Sequence, residues 1–260
     1  MHNMKSPAGV TVSYEMGGNG PPLVLVHGSF SDHHTNWGRI KQSLMRQFTV
    51  YSVARRGRAV TAATEAHGVV DEGEDVAALI ESIDEPVFLL GHSYGAQVAL
   101  AATAVLPDRV RKLILYEPPW PHIIPQEQMA QLENLALVDD WVGLATVFFR
   151  DMLAVQVEEL ETLHATEPWN EIVADAKASL GDIRALASYQ FDPASFGNLR
   201  VPVMLQVGTE SPRELYVTDA LADVLPDVRI EELAGQAHEG MNTAPEQYVE
   251  SVSRFLLPQR

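Results

Sequence analysis

The chain has 260 residues, enough for one large α/β domain with a sizeable core. Its 35 acids against 18 Lys and Arg give a formal net charge of −17, and such a surface repels nucleic acid and anionic membrane, whose phosphates need basic partners. No cysteine is present, which excludes disulfides, cysteine nucleophiles and thiolate metal sites.

The opening "MHNMKSPAGV" has no apolar stretch of the signal-peptide kind, and no run approaches the length of a transmembrane helix, so a cytoplasmic location is expected. "GVTVSYEMGGNGPPLVLVHG" reads as strand, turn and strand, punctuated by the Gly17 to Pro22 cluster. Its "LVLV" is continuously apolar, as in a strand buried on both faces. A helix is expected over roughly Thr35 to Gln47, then a strand in "FTVYSVARRG". "DEGEDVAALIESI" is amphipathic and starts with acids, which suits a helix N-terminus. "PVFLLG" is another buried strand, "AQVALAATAVL" a helix closed by Pro107, and "VRKLILYEPP" a strand ending at Glu117. This alternation predicts a mostly parallel sheet with helices on both faces.

From about Trp120 to Phe191 only helical patterns occur. Strands and helices then resume with "VPVMLQVG", a helix near Arg213 to Leu225, the short strand "VRIEEL" and a last helix after Pro245. The expected organisation is an α/β core over 1–119 and 192–260, with a helical cap inserted over 120–191.

Gly91-His92-Ser93-Tyr94-Gly95 fits G-x-S-x-G between a buried strand and an Ala-rich helix. The pattern recurs by chance; the placement gives it weight. A sharp strand-to-helix turn strains the serine and crowds its neighbours, which glycines relieve. A serine hydroxyl needs a base, and His238, in the loop before the final helix, is the candidate. His27 and His92 abut glycines at strand ends, His33 and His34 precede the serine, His2 and His67 lie in terminal or loop stretches, and His122 and His164 fall in the cap. The base needs an acid to fix its tautomer; Glu117 and Glu210 both end strands downstream of the serine. Oxyanion donors are expected from the backbone of Tyr94 and of Ser29 or Phe30 in "HGSF". No metal or cofactor is expected: H-E-x-x-H is absent, and "GGNG" lacks the Lys-Ser/Thr of a P-loop.

The order Ser93, Glu117, His238, the "HGSF" loop and the inserted helices resemble the α/β-hydrolase superfamily over nearly the whole chain. "RRGR", "YEPP" and "GTESP" are similar to a bacterial group of small cap-bearing hydrolases that includes esterases and lactonases. The resemblance implies an eight-stranded, mostly parallel sheet, a Ser-His-acid triad and hydrolysis through an acyl-enzyme. The superfamily's usual acid follows the seventh strand, where Ser211 stands here with Glu210 one place early; its other acid position follows the sixth strand, where some lactonases of this architecture carry a glutamate. That departure favours Glu117, held extended by Pro118-Pro119. Relatives also have Asp where Ala54 stands and Gly where Ala59 stands, which leaves the form of that loop open; Arg55, Arg56 and Arg58 are expected to be solvated or structural. The resemblance disfavours dehalogenase and epoxide-hydrolase chemistry, which uses Asp where Ser93 stands.

Phe30, and in the cap Trp120, Trp141, Trp169, Phe148, Phe149, Met152, Tyr189 and Phe191, either pack the cap onto the sheet, as most of them are expected to, or line an apolar pocket above Ser93. The expected partner is a small-molecule ester or lactone, partly hydrophobic. The alternative is lyase or C–C cleavage chemistry on the same fold, or a binding protein without turnover.

Overall fold

The computed structural model describes residues 1–61, 67–121 and 124–258; His122 lies outside them. Eight strands form one sheet: β1 (His2–Lys5), β2 (Thr11–Gly18), β3 (Pro22–Val26), β4 (Thr49–Ala54), β5 (Val87–His92), β6 (Val110–Tyr116), β7 (Val203–Gly208) and β8 (Val228–Leu233). Their order is β1-β2-β4-β3-β5-β6-β7-β8, antiparallel at β1/β2 and β2/β4 and parallel from β4 onward. The helices are α1 (Lys41–Met45), α2 (Val69–Glu81), α3 (Tyr94–Val105), α4 (Gln126–Leu137), α5 (Trp141–Val147), α6 (Val157–His164), α7 (Glu167–Ser188), α8 (Thr218–Ala222), α9 (Gly240–Thr243) and α10 (Pro245–Leu256). This is the eight-stranded, mostly parallel α/β-hydrolase architecture expected.

The apolar runs are explained by burial on both faces. Along β3, Val24 and Val26 pack with Leu89, Val98 and Leu79 on the α2/α3 side. Leu23 and Leu25 face Phe88, Trp37, Tyr248 and Phe255 on the α1/α10 side. A strand side chain alternates faces at every residue, so such a strand needs apolar residues at both parities.

Between β6 and β7 the described chain forms α4 to α7 and a single π turn, Phe148–Met152. These share a core of Leu132, Leu144, Trp169, Leu180 and Ile183, joined by Phe30 from below. Among the described residues no helix is long and apolar enough to cross a membrane.

Two local expectations change, and one strand was not foreseen. The helix over Thr35 to Gln47 contracts to α1, because Asp32 Oδ1 accepts from the amides of His34 and Thr35, and Asn36 is drawn into the site. The helix over Arg213 to Leu225 is broken: Trp120 N donates to Leu215 O and Val217 N to Pro118 O, tying residues 215–217 to the exit of β6. β1, four mostly exposed residues paired to β2, has too little apolar pattern to be read from sequence.

Candidate active site

β5 ends in a bend at Ser93, with φ 53° and ψ −127°, and α3 starts at Tyr94. A non-glycine residue there stores ~1–3 kcal/mol of strain, which the surrounding packing must hold. A Cβ on Gly91 would lie 2.4 Å from the Gly95 carbonyl oxygen, and one on Gly95 would lie 2.2 Å from that of His27. Both approaches are impossible for alanine, which explains the two glycines of the pentapeptide.

Glu117 leaves β6 fully buried. Its φ is 48°, so it is not held extended as expected. Pro118 disfavours the right-handed helical region for the preceding residue, and the chain meets that restriction on the left-handed side. Glu117 Oε1 accepts from the Gly208 amide at 2.8 Å, and Oε2 lies 2.5 Å from His238 Nδ1. An ionised carboxylate only accepts, so Nδ1 carries the proton and Nε2 is left as the basic nitrogen. Burial opposes ionisation of Glu117, but bonds from His238 and Gly208 hold its carboxyl below the usual range. Burial likewise opposes charge on His238, and the Glu117 carboxylate outweighs it, raising the imidazole.

The loop carrying His238 is fixed from several sides. His92 Nε2 lies 3.0 Å from the His238 carbonyl oxygen, to which it donates; the Tyr116 hydroxyl donates to Ala237 O and accepts from Gly240 N. Tyr216 stacks on the imidazole at 10°, ring centroids 5.5 Å apart, with its hydroxyl 3.1 Å from Nδ1. Tyr216 was missed from the sequence, because only the pairing of residues 215–217 with 118–120 brings it there. Glu210 is exposed and accepts from its neighbour Thr209. Ser211 stands close enough to the Glu117 carboxylate to help lower it.

In the His27-Gly28-Ser29-Phe30 turn, the Gly28 amide donates to Asn36 Oδ1 at 2.9 Å and the Phe30 amide to Ser179 Oγ at 2.6 Å. Phe30 N–H is therefore engaged and is no longer an oxyanion candidate. Among the described residues the Ser29 amide has no hydrogen-bond acceptor. The Tyr94 amide opens α3, where a helix leaves its first donors unpaired.

Ser29, Ser93, Tyr94 and His238 line one small cavity of about 40 Å³. Pro119, Ile124, Phe148, Met152, Leu153, Ile183, Leu186 and Leu215 supply its apolar wall. Phe30, Trp120, Trp141 and Trp169 pack elsewhere. Phe30 packs at a tilt on Phe148 and edge-on to Phe149, and Trp169 edge-on to Phe149 and at a tilt on His164. Trp141 lies under Lys177, and Trp120 meets Phe191 edge-on. Their area serves the core of the insertion and its seam with the sheet, while Phe148, Met152 and smaller aliphatic residues reach the cavity.

Arg55, Arg56 and Arg58 are buried rather than solvated. Arg55 pairs with Glu72 at 3.0 Å and Asp182 at 2.7 Å, Arg58 with Asp175 and Asp182, and Arg56 with Asp75. His67, Glu72 and Asp182 offer ligand atoms within 4.8 Å of one another. Two guanidinium groups already occupy those carboxylates, so this donor set does not fit a metal ion. Ala59, where the resemblance leads one to expect glycine, has φ 49°, in the region glycine favours.

A family model described as "Alpha/beta hydrolase family" matches residues 23–251. The chain belongs to that family. It is 27% identical over 246 residues to N-formylmaleamate deformylase of Pseudomonas putida, covering 85% of this chain and 83% of that one. It is 36% identical over 109 residues to pyrrolizixenacetamide deacetylase of Xenorhabdus hominickii, a match spanning 40% of each chain. Among solved structures, an alpha/beta hydrolase from Sphaerobacter thermophilus superposes with TM-score 0.85 at 27% identity, covering 98% of this chain and 100% of that one. The enol-lactonase of Burkholderia xenovorans gives TM-score 0.81 at 18% identity, covering 98% and 99%, a likeness of fold. The family and these relatives support hydrolase activity.

Proposed function

We propose that this protein is a serine hydrolase cleaving a carboxylic ester or lactone with a small, uncharged acyl group. The observation that carries the reading is the 2.5 Å Glu117–His238 contact, with His238 and the strained Ser93 lining one cavity. Ser93 Oγ attacks the carbonyl carbon while His238 Nε2 accepts its proton. Glu117 holds Nδ1–H and stabilises the imidazolium. The Ser29 and Tyr94 amides receive the oxyanion, fixed before charge develops. Collapse expels the alkoxide, which takes the proton from His238. Water, activated by the same nitrogen, then releases the acid. The helices over 120–191 act as a cap that keeps the carbonyl out of bulk solvent.

Cavity size supports a small acyl group. A water needs ~10–15 Å³ of such volume, so about 40 Å³ holds a group of acetyl size. Its lining has no Lys or Arg and includes the Asp182 carboxylate, which disfavours an anionic acyl group. The deformylase and deacetylase relatives favour one further reading, removal of a formyl or acetyl group from nitrogen by the same machinery.

The test is a panel of p-nitrophenyl esters from acetate to octanoate, simple lactones and an N-acetyl anilide, run on wild type and Ser93→Ala. Hydrolysis of the short esters, lost in Ser93→Ala, is expected, as is phosphonate labelling at Ser93 alone. Saturable binding without turnover of any panel member would point to a binding protein.

A further inference from the structure

We propose that Arg55 is a positioning residue of the oxyanion site, acting through the Gly28–Ser29 peptide and through Asp182 and Glu72. The inference rests on the serine hydrolase reading above.

Ser29 N–H belongs to the same peptide unit as the Gly28 carbonyl. That carbonyl oxygen accepts from Arg55 Nη2 at 2.9 Å and from His27 Nδ1 at 2.8 Å. The Arg55 amide donates to His27 Nε2 at 3.3 Å, which leaves the His27 proton on Nδ1. A charged donor on a peptide oxygen draws electron density from the nitrogen and makes its N–H a stronger donor, more so in a dry interior. Arg55 Nε also donates to the His27 carbonyl at 2.8 Å, so one planar guanidinium grips two successive carbonyls of the turn.

The same guanidinium sets the side chains of both proposed donors. Asp182, held by Arg55 at 2.7 Å, accepts from Ser29 Oγ at 2.9 Å. Glu72, held by Arg55 at 3.0 Å, accepts from the Tyr94 hydroxyl at 2.9 Å. The guanidinium carbon also lies 4.6 Å from the Tyr94 ring centroid. Asp182 itself lines the cavity, where a lone carboxylate would repel a developing oxyanion. Arg55 and Arg58 offset that charge. The arrangement fixes donors in place and biases the local field toward negative charge on the substrate oxygen.

The experiment uses Arg55→Lys, which keeps the charge but loses the fork. Turnover is counted per active site by phosphonate titration. Removing an oxyanion donor outright costs about 10²–10³ in kcat. Weakening one through its peptide is expected to lower kcat by about tenfold or more, with KM nearly unchanged. Affinity for a trifluoromethyl ketone, whose adduct places an oxyanion in the hole, should fall in parallel. The acid limb of the pH profile should stay in place, because the Glu117–His238 pair is untouched. Unchanged kcat and ketone affinity per titrated site, or a loss confined to KM, overturns the proposal. If Arg55→Lys does not fold, Ser29→Ala and Tyr94→Phe break one link each while keeping both backbone amides. Each is expected to lose several-fold in kcat and ketone affinity, and full activity in both overturns it. Failure of the hydrolase reading is seen separately, as wild-type protein without turnover or Ser93 labelling.

Discussion

Glu117 Oε2 lies 2.5 Å from His238 Nδ1, across 121 residues of sequence. The contact joins the exit of β6 to the loop after β8, and separates Glu117 from Glu210, whose carboxylate is exposed beside Thr209. Glu117→Gln is expected to lower kcat by about 10³–10⁴, the scale of the amide replacement in serine proteases. Glu210→Gln should stay within about tenfold, or ~1.4 kcal/mol of barrier. Steady-state rates on a short ester rank the two, and the reverse order would move the acid to Glu210.

The pH dependence follows from the same pair. Burial lowers the His238 imidazole, and the Glu117 carboxylate, helped by Glu239, raises it by more, so its pKa stands above the ordinary 6.5. The base works only when neutral. The acid limb of kcat/KM should therefore have its midpoint above 6.5 in wild type. In Glu117→Gln the main raising partner is gone and burial remains, so the residual activity should titrate at lower pH. A limb that does not move between the two proteins would detach His238 from Glu117.

Tyr216 gives a narrower expectation. Its ring stacks on His238, and its hydroxyl lies 3.1 Å from Nδ1. Tyr216→Phe keeps the stacking and removes the hydroxyl; because Nδ1–H is already donated to Glu117, the acceptor open to that hydroxyl is the Glu117 carboxylate, and a hydrogen bond to a charged group is worth ~1.5–3 kcal/mol. A kcat loss of roughly 10- to 100-fold is expected. Tyr216→Ala should lose more, since the ring's orientation would then be unsupported. Equal activity in Tyr216→Phe and wild type would reduce the residue to packing.

Cavity wall and insertion core should respond differently to truncation. Trp169 is 6% exposed within the insertion core, and its replacement by Ala should cost ~3–5 kcal/mol with acyl-chain preference unchanged. Ile183→Ala and Leu186→Ala enlarge the cavity and should shift preference from acetate toward butyrate or hexanoate esters. Melting curves beside kcat/KM ratios separate the two effects. A preference shift in Trp169→Ala alone would return the pocket to the aromatic residues.

The elbow was legible because it is a steric problem with one local answer: Gly91 and Gly95 stand where a Cβ would strike backbone. The parallel sheet was legible because strands buried on both faces show unbroken apolar runs. Glu117 could be singled out because Ser211 occupies the usual acid position, but its left-handed φ could not, since Pro118 excludes one region without choosing between the others. Tyr216, Ser179 and Asp182 were hidden for a different reason. Asp182 reaches Ser29 across 153 residues, and nothing in the local pattern of α7 separates a carboxylate facing solvent from one buried against two guanidinium groups. Of the cap residues weighed for the pocket, Phe148 and Met152 reach it and the tryptophans do not, because size marks a side chain as buried without saying which side of a layer it fills.

The 22-residue helix α7 contributes Ser179 and Asp182 to the turn at Ser29 and Phe30, from the far side of the layer boundary. The helical insertion is thus not an interchangeable module. A chimera that grafts a relative's helices onto this core, without a serine and an aspartate at these two positions, would leave the Phe30 amide without its acceptor and the two guanidinium groups facing each other without their shared counter-ion. Swapping substrate preference between relatives by exchanging whole insertions should therefore fail where transplanting only the apolar lining residues succeeds.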